Sequence, residues 1–261
     1  MNSVNKTLYI PLYGKSYVSK KGLFLCDIKA EQIWSESGFE LKGKSKSKWL
    51  AYYMGIRSAV FDDWLQEQLT SNEDAIIIHI GCGLDSRVLR VKSDSHRWFD
   101  VDFEDVIEER KKHFSQSNKY KMLASDVRTE DWLKAIGKEK HAIVVMEGIS
   151  MYLKNEELKA LMDHLSSYFE QISLLMDSYT EIAAKLSKYK NPINDVGVSE
   201  VYGLDDPKTI QSHELRFTKE HSMTPERYIA QLHGLEKIIF KKMYAGGISK
   251  KLYKLYEYKK A

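Results

Sequence analysis

Six residues, Ala75-Ile76-Ile77-Ile78-His79-Ile80, stand between Asp74 and Gly81. A short apolar run closed by a charge and a glycine reads as a strand covered on both faces. Such strands belong to parallel sheets. Comparable runs recur at residues 98–101, 142–146 and 172–176, with a weaker one at 121–124. Helical patterns fill the gaps at 105–114, 129–136 and 155–170. Strands alternating with helices predict βαβ units and a doubly wound α/β sheet.

The two ends of the chain read differently. Between residues 47 and 69, Trp49, Tyr53, Ile56, Val60 and Trp64 recur at helical spacing with one apolar face. Ser45 or Ser47 can cap this helix, and Thr70-Ser71-Asn72 ends it. A second short helix is expected within 17–35. Residues 185–220 are polar and irregular and read as a lid-like insertion. Thr224-Pro225-Glu226 opens a further helix with Pro at its first position. Residues 235–244 and 251–258 flank Ala245-Gly246-Gly247 and read as a β-hairpin, which puts antiparallel strands at one edge of the sheet.

Composition narrows the class. At 261 residues the chain is one large domain, or one domain with an appendage. Forty basic against 37 acidic residues leave a net charge of +3, and 43% of residues are hydrophobic, so a disordered chain is excluded. No apolar run reaches the ~18 residues of a membrane span, so no membrane partner is expected. The start carries no apolar signal-peptide stretch, and two cysteines make no disulfide framework. A reduced, cytoplasmic protein is expected. A pI near 8.5 is too mild to argue for nucleic acid. The lysines at 42–48 and 250–260 read as solvated faces.

The chemistry-bearing residues gather where the strands end. Gly81-Cys82-Gly83 follows the first strand, where glycines let a chain turn tightly and a ligand approach the backbone. Ser86 stands where a dinucleotide fingerprint has its third glycine, and no P-loop lysine follows, so an adenosine ligand without phosphates fits better than a pyrophosphate. Asp102 ends the second strand and can accept from both hydroxyls of a ribose. Asp100 is expected to face away from it. Asp126, after the third strand, suits either an adenine amino group or a helix N-cap. Glu147 ends the fourth strand and needs a partner, either a lysine or a ligand ammonium. Arg57 lies on the apolar side of the long helix and needs a carboxylate, either a core aspartate or that of a bound amino acid. His79 reads as a core residue, and no spacing of His or Cys suggests a metal.

Four blocks, HIGCGLDSR, WFDVDFEDVIEERK, SDVRTEDW and VVMEGISMYL, together resemble the leucine carboxyl methyltransferase family. That family includes phosphatase methyltransferases and bacterial O-methyltransferases of polyketide synthesis. The resemblance implies a class I, Rossmann-like methyltransferase fold with an N-terminal helical cap at 1–71 and a core at 72–261. It implies S-adenosylmethionine as cofactor. By the same resemblance, Arg57 holds the methionyl carboxylate and Lys15 is a basic cofactor contact. Gly81 and Gly83 form the glycine loop, and Asp102 takes the ribose. Asp126 and Val127 form the adenine pair, and Glu147 sits near the methionine portion. Arg128 and Tyr152 match positions facing the acceptor. The family's Asp-Pro appears here as Asp27-Ile28, and the long additions of the phosphatase enzymes do not appear. Both departures favour a small-molecule acceptor, anionic in character, over a protein. Two rival readings remain at this stage: a nicotinamide-dependent oxidoreductase on the same fold, and a cofactor-binding protein without catalysis.

Overall fold

The computed structural model describes residues 5–187, 200–247 and 249–261. Three helices lead: α1 (Tyr9–Lys20), α2 (Ile28–Glu36) and α3 (Lys48–Ser71). Two helices thus occupy the region where one was expected, because α1 begins eight residues earlier than the pattern suggested. Asp27 caps α2 by accepting from Ala30 N at 2.8 Å, and Ser47 caps α3 by accepting from Trp49 N at 3.3 Å.

Strands and helices then alternate: β1 (Ile76–Ile80), α4 (Arg87–Arg90), β2 (Trp98–Asp102), α5 (Glu104–Lys111), β3 (Tyr120–Ala124), α6 (Asp131–Ile136), β4 (His141–Met146), α7 (Asn155–Tyr168), β5 (Gln171–Tyr179) and α8 (Glu181–Ser187). The last described part holds β6 (Arg216–His221), α9 (Glu226–Ile229), α10 (Gly234–Tyr244) and β7 (Tyr253–Lys260). The sheet order is β3-β2-β1-β4-β5-β7-β6. β1 to β5 are parallel, and β7 runs antiparallel to both β5 and β6. All five residues of β1 are buried, as a central parallel strand requires. Apolar clusters cover both faces. One contains Ile56, Phe61 and Trp64 of α3, and the other contains Leu161 and Leu165 of α7.

Three expectations need correction. Residues 235–244 are the helix α10, with Phe240 buried on its inner side. β7 already has β5 on one side and β6 on the other, so no edge is left for that segment to pair with. The antiparallel edge exists, but its outer strand is β6, whose charged residues Arg216, Lys219 and Glu220 are exposed. The lid-like insertion at 185–220 therefore ends in a strand from Arg216, while its residues 188–199 lie outside those described. A third correction is small: α9 starts at Glu226, with Pro225 as its N-cap.

The strand order reverses between β1 and β4, where ligands of open α/β sheets bind beyond the carboxyl ends. Register places the key residues there. Ile80 pairs with Val101, so Gly81 and Asp102 emerge side by side. His79 pairs with Val145, which brings Glu147 level with Gly81. Among the described residues, no helix is long and apolar enough to cross a membrane.

Candidate active site

A cavity of about 920 Å³ opens at this switch point. Lys15, Arg57, Gly81, Gly83, Asp102, Asp126, Val127, Glu147, Arg128 and Tyr152 all line it. Its size is within the range of small-molecule sites.

The glycine loop is held from two sides. Gly81 has φ +67°, a conformation costly for residues with a Cβ. A Cβ there would also meet Ile149 Cδ1 at 2.7 Å. Gly83 N donates to Asp102 Oδ2 at 2.8 Å, and Phe103 N donates to Asp102 Oδ1 at 2.8 Å. Burial pushes the Asp102 carboxyl up to about 6, against the pull of these two N–H donors. Behind the loop, Arg110 donates to the carbonyls of Gly83 at 3.0 Å and Asp85 at 2.6 Å. Its Nε also reaches Asp100 Oδ2 at 2.8 Å, which Tyr120 Oη joins, while Trp98 Nε1 donates to Asp100 Oδ1. Asp100 thus shares the loop side of the sheet with Asp102, contrary to expectation, because residues two apart on a strand share a face.

A buried ion network forms the wall opposite. Glu147 Oε1 accepts from Arg57 Nε at 3.0 Å, and Oε2 accepts from Arg87 Nη2. Burial alone would raise the Glu147 carboxyl, but Arg87 and Arg57 hold it down at about 2. Its partners are therefore two arginines, and among the contacts described no lysine bonds to it. Arg57 Nη1 donates to Asp177 Oδ2 at 2.9 Å and to Tyr253 Oη at 2.7 Å. The core aspartate is thus real, and Asp177, Tyr253 and Arg87 are site residues that pattern reading missed. Asp177 left a faint signal, a lone acid directly after the apolar run 172–176. Tyr253 left none. Arg87 and Arg90 stand in the quoted HIGCGLDSR block and just beyond it, and both pair with Asp62, at 2.6 and 2.5 Å. Lys15 Nζ pairs with Asp85 Oδ2 at 2.7 Å, both buried.

Other candidates fall at the rim. Arg128 grips Asp126 through Nε and Nη2, with Nε 2.9 Å from both carboxylate oxygens, and its backbone N donates to the same group at 3.0 Å. Asp126 therefore closes its own turn; the helix that follows, α6, begins only at Asp131. Val127 beside it is buried. His79 is buried, and burial with Arg87 alongside pushes it down to about 4, so it is neutral at pH 7. Its Nε2 lies 3.3 Å from Arg87 Nη1. Burial pushes the Cys82 thiol up, which makes it a small apolar filler. No group of three or more His, Cys, Asp or Glu suited to a metal occurs among the described residues.

The rest of the cavity has another character. Tyr53 packs against Tyr244 and Tyr253 with ring centroids 5.6 and 6.0 Å apart, and Tyr179 meets Tyr253 at 4.9 Å. Trp49, Met54 and Met243 extend this apolar wall. One end of the cavity thus offers glycine backbone and carboxylates, and the other offers aromatic surface.

The sequence profile of the leucine carboxyl methyltransferase family matches residues 9–166, more than half of the chain. The tetracenomycin polyketide synthesis O-methyltransferase TcmP of Streptomyces glaucescens is 29% identical over 185 residues, 70% of this chain and 68% of that one. An S-adenosyl-L-methionine-dependent methyltransferase of Gibberella zeae is 26% identical over 65% of this chain and 62% of its own length. The crystal structure of magnesium protoporphyrin IX methyltransferase from Synechocystis PCC 6803 with bound SAH superposes with a TM-score of 0.52. That match has 12% identity and covers 90% of this chain and 93% of that one, a likeness of fold alone.

Proposed function

The chain belongs to the leucine carboxyl methyltransferase family, and from that premise we propose that it methylates an oxygen of a small-molecule acceptor seated against the tyrosines of the cavity. The family makes it an S-adenosylmethionine-dependent methyltransferase with a class I fold, which sets aside the nicotinamide reading. The acceptor and the oxygen are our reading. One observation carries it: a single cavity joins the glycine loop to the aromatic wall, so cofactor and acceptor can meet without water between them.

The residues present suit the cofactor. Asp102 presents a carboxylate to the cavity beside the Gly83 backbone, where a ribose can donate two hydrogen bonds. Arg57 lines the cavity with its Nη2 beside Gly148, while its Nε and Nη1 are held behind. Nη2 can therefore take a methionyl carboxylate. Gly81 and Lys15 would flank the methionine portion, and Glu147 would face its ammonium. Val127, with Asp126, would border the adenine. When bound, the cofactor supplies a methyl group activated on a sulfonium.

The chain's own part is positioning and exclusion of water. Neither His79, neutral and turned to Arg87, nor the paired Glu147 is placed as a general base for an acceptor. An acceptor that carries its own negative charge needs none. A carboxylate or an acidic phenol meets that condition, and Arg128 and Tyr152, which line the cavity, would orient it. The relative named as an O-methyltransferase supports oxygen as the attacking atom.

The test supplies methyl-labelled cofactor with a panel of aromatic carboxylic acids, phenols and amines. Label in a base-labile ester or a base-stable aryl ether supports the reading. Label on nitrogen alone overturns it. A cofactor that binds without any transfer across the panel favours the non-catalytic alternative.

A further inference from the structure

We infer that Asp177 and Tyr253, neither of which belongs to the quoted blocks, are positioning residues that aim Arg57 at the cofactor's carboxylate; the inference rests on the role given to Arg57 above. Arg57 projects from the middle of α3, across a gap to the ends of β4 and β5. An arginine side chain turns about several single bonds, so a free one would present its Nη2 in many directions. Here two donor atoms are tied down. Nε is bonded to Glu147, and Nη1 is bonded to both Asp177 Oδ2 and Tyr253 Oη.

Asp177 does two things at once. Its Oδ2 accepts from Arg57 and also from Tyr253 Oη at 2.5 Å. Its Oδ1 accepts from Gly148 N at 2.7 Å. One carboxylate thus fixes the guanidinium and the backbone facing it. Gly148 has φ +75°, and a Cβ there would stand 3.3 Å from Arg57 Nη2. The missing side chain leaves that nitrogen open on the cavity side.

Tyr253 reaches the cluster by sheet register. Asp177 lies opposite Leu255 in the antiparallel β5–β7 pair, so Tyr253 is its diagonal neighbour on the same face. Its ring also packs on Tyr53 and Tyr179 of the aromatic wall. The last strand of the chain therefore sets a residue of the N-terminal helices. A fully buried carboxylate is a costly way to fill space, and an apolar residue would serve packing alone as well.

The experiment compares two ligands by calorimetry on wild type, Tyr253→Phe, Asp177→Asn and Arg57→Ala. S-adenosylhomocysteine carries the amino-acid carboxylate, and 5′-methylthioadenosine lacks it. Tyr253→Phe is expected to weaken S-adenosylhomocysteine about 5- to 20-fold, and Asp177→Asn more, with 5′-methylthioadenosine unchanged within about twofold. A merely structural role would weaken both ligands together, and that result overturns the inference, as does no change with either. If Asp177→Asn does not fold, Tyr253→Phe decides alone. Arg57→Ala separates the two levels. If it spares S-adenosylhomocysteine, the role of Arg57 fails and the inference with it. If it loses that ligand while the other two variants keep it, only the inference fails.

Discussion

Gly83 N donates to Asp102 Oδ2 across 2.8 Å, which ties the loop after β1 to the last residue of β2. The bond makes the glycine loop and the carboxylate proposed to take the ribose one unit. It also sets a pH dependence. The Asp102 carboxyl is raised to about 6, above the ordinary 3.8, so its charged form is disfavoured in the fold. In the proposed site, ribose hydroxyls would donate to that charged form. Cofactor affinity is therefore expected to hold above about pH 6.5 and to fall towards tenfold per pH unit below about 5.5. Calorimetric titration of S-adenosylhomocysteine from pH 5 to 8 checks this, and Asp102→Asn should bind weakly at every pH. A flat wild-type profile would remove Asp102 from the ribose site.

Glu147 has the opposite shift. Arg87 and Arg57 hold it at about 2, below the ordinary 4.5, so it contributes stability above pH 4.5 that is lost as pH falls towards 2. Each pKa unit is worth about 1.4 kcal/mol. Glu147→Gln should cost about 3–5 kcal/mol near neutrality, because two buried guanidinium groups lose a charge partner. It should also flatten the decline between pH 4.5 and 3. Urea unfolding across that range measures both, and an unchanged slope would mean that other carboxylates carry the acid sensitivity.

Gly81→Ala forces a Cβ into a positive-φ position and against Ile149. The backbone strain alone is about 1–2 kcal/mol. We expect a lower melting temperature and at least tenfold weaker cofactor binding, since the loop backbone must shift. Normal binding in a destabilised variant would show that the loop does not touch the ligand.

Arg128 sits at the half-exposed rim, bound to Asp126 and 3.6 Å from Glu157. Arg128→Ala should leave S-adenosylhomocysteine affinity within about twofold. It should lower kcat/KM at least tenfold for an anionic acceptor and little for a neutral one. Loss of cofactor binding instead would move Arg128, through Asp126, into the adenine site.

Thermal unfolding beside S-adenosylmethionine, S-adenosylhomocysteine and a nicotinamide dinucleotide offers the broadest check. A ligand at 100 times its Kd adds ~2.7 kcal/mol. That is roughly 5–10 °C for a chain of this size, at ~2–4 °C per kcal/mol. The two adenosyl amino acids should raise the melting temperature and the dinucleotide should not.

The sequence alone determined what local chemistry determines. Apolar runs such as 75–80 marked the parallel strands, because a strand buried on both faces is mostly apolar, and a polar residue such as His79 is kept there only with buried partners. The glycine loop and Asp102 were legible because a turn and a strand end are short-range features. Arg57 and Glu147 were legible as charges out of place in apolar surroundings, although their partners were not. Tertiary structure decided those partners. Nothing in residues 47–69 names Asp177 or Tyr253, which lie 120 and 196 positions away along the chain. Only the register of β5 against β7 brings them to Arg57. The segment 235–244 shows the same limit. Its reading as a strand leaned on the Gly-Gly beside it, although Leu235, Ile238, Ile239 and Met243 fall at helical spacing, and in the sheet β6 already held the edge of β7.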